Sequence, residues 1–330
     1  MADTASLTIV IAAYNEQSAL PVMHARLARV LQGLDLDCRV LYVDDGSRDR
    51  TWDVLRDIAA GDPRVSLLRL ARNFGKELAL TAGLDQVHTD AAMVLDADGQ
   101  DPPELIPAFV AKWREGYDVV YGTRTRRDGE TWLKKFTAAG FYRVMRWLSQ
   151  TDIPRDTGDF RLMSRRVLDA LRQLRERQRF MKGLFTWVGF RQVTLPYDRE
   201  ARLAGDTKFN YWRLWNLALE GITSFSTVPL RLATYVGVLT ALVAFGWGLW
   251  IIARTVVWGD PVQGWPSLMT VVLFLGGLQL VALGIVGEYL GRMYVESKQR
   301  PLYLVSETVG PPPLVGGASV PMPLAEKHRA

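Results

Sequence analysis

Hydrophobic positions along this chain follow two regimes. Through the first hundred or so residues, short apolar runs of strand length alternate with longer stretches whose apolar residues recur at helical spacing. Leu7–Ala13, Arg39–Val43, Val65–Leu70 and Ala92–Leu95 read as strands. Ser18–Leu34, a stretch opening near Asp49, and Lys76–Val87 read as helices between them, and Tyr117–Gly122 as a further strand. Such alternation predicts an α/β domain with a mainly parallel sheet covered on both faces. Ligands of such sheets bind outside the carboxyl ends of the strands. Past residue 230 the regime changes. Leu232–Ala253 and Ser267–Gly287 are free of charge, and the first alone would span roughly 33 Å at about 1.5 Å per residue. Neither has the polar stripe of a buried soluble helix, so both are read as membrane spans.

Charge and composition refine this picture. The 40 basic and 35 acidic residues leave a net charge of +5, too modest to suggest nucleic acid. Cys38 is the sole cysteine, which excludes an internal disulfide and a thiolate zinc site. The histidines (His24, His88, His328) form no ligand pattern. Met1 to Ser6 leads into the first strand with no basic segment of a secretory signal. Lys208, Arg213 and Arg231 precede the first span, and Arg292, Lys298 and Arg300 follow the second. The loop Gly259–Pro266 carries no basic residue, although Arg254 lies near it. The positive-inside rule then places both termini and the folded domain in the cytoplasm, at the inner or plasma membrane.

The polar residues that could do chemistry gather at predicted strand ends: Tyr14-Asn15-Glu16, Asp44-Asp45-Gly46-Ser47, and Asp96-Ala97-Asp98-Gly99-Gln100. In an extended chain alternate side chains share a face, so Asp96 and Asp98 point the same way. With the Gln100 amide they make an all-oxygen set suited to Mg²⁺ or Mn²⁺. The same residues also read as turn chemistry, and Asp101-Pro102-Pro103-Glu104 reads as a helix start with Asp101 as its cap. No G-x-G-x-x-G and no P-loop pattern is present, which disfavours a dinucleotide fold or a P-loop ATPase. Arg72 and Lys76 flank Asn73-Phe74-Gly75 at a helix start, either as phosphate ligands or as surface cations beside a turn.

Seven stretches together carry a resemblance: AAYNE (12–16), VDDGSRDRT (43–51), RNFGKELALTAG (72–83), DADGQDPPE (96–104), YGTR (121–124), DTGDFRLMSR (156–165) and ESKQRP (296–301). The chain resembles family 2 glycosyltransferases of the GT-A type, specifically polyprenyl-phosphate glycosyltransferases with two C-terminal spans, as far as about residue 308. The resemblance implies a GT-A catalytic domain over 1–228 with interfacial helices near 134–150 and 207–226. Two transmembrane helices (about 232–257 and 266–290, within 229–291) and a cytoplasmic tail over 292–330 follow, disordered from Pro311.

The same resemblance implies roles. Tyr14 and Glu16 would contact the nucleotide, and Asp44 and Asp45 its base and ribose. Lys76 would serve the donor, Asp96 ribose and metal, and Asp98 and Gln100 the metal. Two departures stand out: Gly99 where the family often has Leu, and Ala12-Ala13 where it commonly begins Ile-Pro or Val-Pro. Arg124 is implied as a ligand of the lipid phosphate, and Asp159 as general base with Arg161 beside it. Arg199, Arg202 and Lys208 match a loop that closes over the phosphates.

A phosphate monoester has a second pKa of about 6, so the acceptor scarcely needs deprotonation and Asp159 can instead orient it. Aromatics at Phe209, Tyr211, Trp212 and Trp215, and the mix around Lys134-Lys135-Phe136, suit the membrane interface. Gly287 and Gly291 are spaced for close helix packing, between the spans or between protomers.

The reaction so implied moves a sugar from a nucleotide-sugar to polyprenyl (undecaprenyl) phosphate with inversion, UDP-glucose being the first choice of donor. GDP-mannose and other UDP-sugars stay open, and a homo-oligomer, a tetramer by resemblance, is expected. A processive polysaccharide synthase is disfavoured by two spans and by Arg143–Trp147, which lacks the Gln of the Gln-x-x-Arg-Trp motif. A non-catalytic membrane assembly partner would have been free to lose Asp96, Asp98 or Asp159, and all three are present.

Overall fold

The computed structural model describes residues 5–124, 157–177, 179, 181–198, 228–258 and 264–311. Three βα steps and a fourth strand open the chain: β1 (Ser6–Ala13), α1 (Leu20–Gln32), β2 (Asp37–Asp44), α2 (Thr51–Gly61), β3 (Val65–Leu70), α3 (Lys76–Asp85) and β4 (Ala91–Asp96). A single 3₁₀ turn, Pro103–Leu105, leads into α4 (Ile106–Arg114) and β5 (Val119–Arg124). Then come β6 (Thr157–Ser164), α5 (Arg165–Gln173), α6 (Met181–Trp187) and β7 (Gln192–Tyr197). Two long helices, α7 (Val228–Trp258) and α8 (Trp265–Ser297), precede β8 (Val305–Val309).

The described strands form one mixed sheet in the order β7-β5-β6-β4-β1-β2-β3-β8. β1 pairs in parallel with β2 on one side and β4 on the other, and β2 with β3. β6 and β8 run antiparallel to their neighbours. The reason lies in the runs themselves. β1 is apolar on both faces, with Leu7, Ile9, Val10 and Ile11 wholly buried, as a central parallel strand must be. Leu7, Ile9 and Ile11 join Leu20, Met23 and Leu27 of α1 in one core. Val10 joins Ala79, Leu80 and Ala82 of α3 in the other. Because connections leave β1 toward β2 on one side and return at β4 on the other, a crevice opens beyond the carboxyl ends of these strands. β6 closes it laterally. Its Phe160 and Leu162 enter the first core and Met163 the second, so by alternation Asp159 and Arg161 share the α3 face.

The hairpin is built differently. α7 has 31 residues and α8 has 33, about 46 and 50 Å long, well over the roughly 30 Å of a bilayer core. Leu239, Phe245, Phe274 and Leu283 are each at least 64% exposed. Soluble monomers rarely expose apolar patches beyond about 600 Å², and both helices are long and apolar enough to cross a membrane. A Cβ added at Gly287 or Gly291 would meet nothing within 4 Å, so this pair is not where α7 and α8 of one chain meet.

Three expectations need adjustment. The helical region of the second span runs on to Ser297, and the segment read as tail supplies β8, antiparallel to β3. Asp101 does not cap a helix: the 3₁₀ turn is preceded by Pro102 with no side-chain cap. The expected interfacial helices near 134–150 and 207–226, and the tail beyond 311, lie outside the described residues.

Candidate active site

The ends of β1 and β2 are knitted to each other. Asn15 adopts φ 57°, a left-handed conformation that Asn tolerates better than most residues. Its N–H donates to Ser47 Oγ at 3.0 Å, and its Oδ1 accepts the Arg48 N–H at 2.9 Å. The Glu16 N–H donates to Thr51 Oγ1 at 2.9 Å. Tyr14 stands exposed at the rim. Gly46 has φ 65°, and a Cβ there would come within 2.5 Å of the Arg72 carbonyl carbon. Only glycine lets the 72–73 backbone lie this close to the end of β2.

The acids after β2 are not presented to the crevice. Asp44 is wholly buried; its Oδ1 accepts the Ser47 N–H at 3.0 Å and its Oδ2 lies 3.3 Å from Arg69 Nε. The Arg69 guanidinium is poised over the Trp52 ring at 5.2 Å. Asp45 uses both oxygens on the loop before α3, accepting Phe74 N–H at 2.7 Å and Gly75 N–H at 2.9 Å. Burial raises the Asp45 pKa; the two amides and Arg72 pull it down less strongly. Asp45 therefore clamps the loop that delivers Lys76, a task the sequence does not reveal.

Lys76 is the centre of the site. Its ammonium lies 2.6 Å from Asp96 Oδ1 and 2.6 Å from Asp159 Oδ2. Asp96 ends β4, Lys76 opens α3, and Asp159 comes from β6, so three elements converge on one cation. Burial works against the ammonium charge, but Asp96 and Asp159 together outweigh it and raise the Lys76 pKa. The stem stays accessible, with the side chain 45% exposed. Arg161 sits one step deeper, 4% exposed, with Nη2 donating to the Gly158 carbonyl at 2.9 Å and its guanidinium 3.9 Å over the Phe185 ring. Burial pushes its pKa down to about 10 against the opposing fields of Asp159, Glu77 and Tyr121. Arg161 thus backs Asp159 and does not line the crevice.

The β4 acids behave otherwise. Extended alternation stops at Asp96, and Ala97 and Asp98 form a turn. Asp96 and Asp98 are nevertheless both half-buried while Ala97 between them is buried. Asp98 Oδ1 accepts the Gln100 N–H at 3.1 Å, so the turn reading holds without removing the carboxylate from the crevice. Gly99 takes φ 72°, where the Leu common in the family would be strained. Among the described residues no three His, Cys, Asp or Glu side chains are grouped to hold a metal. The expected oxygen set of Asp96, Asp98 and the Gln100 amide has only two carboxylates, and one of these, Asp96, holds Lys76. Asp101, next along, is buried and accepts the Tyr197 hydroxyl hydrogen at 2.7 Å.

Arg124 ends β5 in register with Tyr197 of β7. Arg199, Arg202 and Lys208 lie outside the described residues. The sequence reading missed three features: the Asp101–Tyr197 bond, β8, and Glu77, whose Oε2 accepts the Met181 N–H at 3.1 Å and so fixes the start of α6. Only β8 had a readable signal, the β-branched run Val305–Val309 stopped by Gly310-Pro311.

Comparison with known proteins fits this geometry. Residues 8–172 match the model of Glycosyl transferase family 2, and residues 228–293 match the GtrB C-terminal hairpin. An uncharacterized glycosyltransferase of Synechocystis sp. is 52% identical over 307 residues, covering 93% of this chain and 96% of its own. The bactoprenol glucosyl transferase of Shigella phage SfV is 45% identical over 299 residues, covering 91% and 97%. Among solved structures, mannosyl-3-phosphoglycerate synthase from Rubrobacter xylanophilus shares 16% identity over 66% of this chain and 71% of its own, with a TM-score of 0.45. With its acids at the ends of a mostly parallel sheet and an apolar helical pair behind it, the chain belongs to glycosyl transferase family 2, in the group that carries the GtrB C-terminal hairpin.

Proposed function

We propose that this transferase moves glucose from UDP-glucose to a polyprenyl phosphate, with inversion at the anomeric carbon. The observation that carries the reading is the convergence of Lys76, Asp96 and Asp159 on one point beside Asp98 and Gln100. The names of relatives such as the phage bactoprenol glucosyl transferase, 45% identical, support glucose and a polyprenyl acceptor. A hard divalent cation, Mg²⁺ or Mn²⁺, suits the two carboxylates and the amide oxygen of Asp96, Asp98 and Gln100. When bound it would neutralise charge on the departing diphosphate.

The residues of the chain do the rest. Tyr14 and Glu16 border the nucleotide, and Asp44 lies below it. Asp45 reaches the donor only through the 74–75 backbone that it holds. In the reaction a lipid phosphate oxygen attacks the anomeric carbon, the bond from that carbon to the diphosphate oxygen breaks, and its electron pair leaves with UDP. Asp159 does not have to take a proton, since a phosphate monoester with a second pKa of about 6 is already largely dianionic. Its pairing with Lys76 suits an orienting role. Lys76 holds Asp96 and Asp159 together, so the donor side and acceptor side keep a fixed separation. Arg124, with Arg199, Arg202 and Lys208, is assigned to the acceptor phosphate, where a guanidinium can make paired hydrogen bonds.

The hairpin would hold the domain on the cytoplasmic face, with both termini inside, and a tetramer is the proposed assembly. The experiment is a donor panel. Protein in detergent with Mg²⁺ or Mn²⁺ and undecaprenyl phosphate is given labelled UDP- and GDP-sugars, and label entering the organic phase is counted. Transfer from UDP-glucose, lost in Asp98→Ala, is the expected result. Transfer from GDP-mannose alone would overturn the sugar assignment, and nucleotide binding without transfer from any donor would favour a non-catalytic assembly partner.

A further inference from the structure

The segment that follows the hairpin lies beyond residue 293, where the hairpin family model ends. It is tied to the folded domain at every few residues. At its root, Glu296 Oε1 accepts the Arg177 N–H at 2.7 Å. The Tyr303 hydroxyl donates to Asp85 Oδ2 at 2.8 Å, an oxygen that Arg175 also holds at 2.7 Å. The Leu304 carbonyl accepts the Ala71 N–H at 2.8 Å. β8 then pairs with β3, placing Glu307 across from Arg69, and Ser306 Oγ donates to the Arg69 carbonyl at 3.2 Å. Ser66 Oγ closes the series on the Pro311 carbonyl at 3.3 Å.

Two of these contacts bear on stretches that lead into the site. Arg69 is the residue whose Nε lies 3.3 Å from Asp44 Oδ2. Ala71 opens the loop that Asp45 clamps at Phe74 and Gly75 and that ends at Lys76, the cation between Asp96 and Asp159. The strap therefore grips that loop at its start while Asp45 grips it near its end.

We infer that residues 301–311 are a positioning segment of the donor site, holding Arg69 and the 71–76 loop so that Asp44 and Lys76 keep their places. The inference rests on the donor reading given above. A strand that merely covered the β3 edge would change stability and aggregation. It would alter exchange only at the residues it pairs with, such as Ala71, and would leave nucleotide affinity and the opening of residues 73–76 unchanged once the protein was folded.

The test compares three proteins in detergent: the full chain, a chain ending at Pro311, and a chain ending at Arg300. Two readouts are taken, the affinity for UDP with Mn²⁺ and amide hydrogen exchange of residues 69–76. The chain ending at Pro311 should match the full chain. The chain ending at Arg300 should stay with the detergent micelle, exchange faster across 69–76, and bind UDP about tenfold more weakly, as expected when a binding group moves by a fraction of an ångström or more. Adding a peptide of residues 299–311 should restore part of both.

Unchanged exchange and unchanged UDP affinity in the chain ending at Arg300 would overturn the inference. Should that chain aggregate, the full-length pair Tyr303→Phe and Ser306→Ala decides: faster exchange across 69–76 with UDP binding weakened severalfold supports the positioning role, and wild-type values for both refute it. If the full chain itself fails to bind UDP or any other nucleotide, the donor reading falls, and exchange across 69–76 still decides whether the strap holds the loop.

Discussion

Two acid pairs at neighbouring strand ends look alike in sequence and work in opposite ways. Asp44-Asp45-Gly46 and Asp96-Ala97-Asp98-Gly99 both follow an apolar strand and both end in a left-handed glycine. The first pair turns inward: Asp44 is wholly buried, and Asp45 satisfies two backbone amides of a distant loop. The second pair stays half-exposed, and its Asp96 is held by Lys76. The first pair shapes the crevice, and the second faces what enters it. Burial and partners decide between these roles, because an ionised carboxylate deep in a protein must be hydrogen-bonded and one at a strand end can wait for a ligand.

The sharpest test removes one acid from each pair. Asp98→Ala should abolish most transfer, by about 10²- to 10³-fold if the several kcal/mol of a metal contact are lost at 1.36 kcal/mol per decade. Its melting temperature should stay near that of the parent protein, because Asp98 lies half-buried in a turn, where its Oδ1 accepts the Gln100 N–H. Asp45→Ala should do the reverse in order of cause. Leaving two half-buried amides without an acceptor costs at most about 1–3 kcal/mol each, so the melting point should drop and activity should fall as a consequence of a loosened 73–76 loop. Equal melting points for the two variants would break the comparison.

Much of the fold was legible because the apolar pattern is strong. Val65–Leu70 is found as read, and β1, β2 and β4 differ from the expected strands by one or two residues at their ends. These strands are buried on both faces, so their sequences are continuous apolar runs with few competing readings. The strand ends alone pointed to Asp96, while Asp159, which meets it at Lys76, came only with the resemblance. What was not readable is partner choice. Asp45 bonds to residues 29 and 30 positions on, and Asp101 takes its hydrogen bond from Tyr197, 96 positions away. No local signal tells a capping aspartate from one aimed at a remote loop. The resemblance implies Arg161 beside the reacting groups, and its spacing of two from Asp159 sets it one pleat deeper on the same face, against Phe185. β8 escaped notice because it follows a membrane hairpin, where a tail is the simpler expectation.

The smallest effect separates the pairs by pH. Burial raises the Asp45 pKa above the ordinary value of an aspartate, with Asp44 adding in the same sense. A carboxyl with a raised folded-state pKa favours the folded state fully below its unfolded value, and that contribution is lost as pH rises through the folded value. Parent protein and Asp45→Asn should therefore differ in stability by an amount that changes with pH. Asparagine does not titrate, and its amide can accept only one of the two backbone hydrogen bonds. The constant part of the difference is the lost bond. The varying part is the titration, worth at most about 1.4 kcal/mol for each unit of pKa shift. Apparent melting points in detergent from pH 4 to 7.5 should show the advantage of the parent protein shrinking as pH rises through the folded-state value. A difference that stayed flat, or grew with pH, would mean that the two amides match or outweigh burial at Asp45, and the inward pair would lose the electrostatic mark that sets it apart.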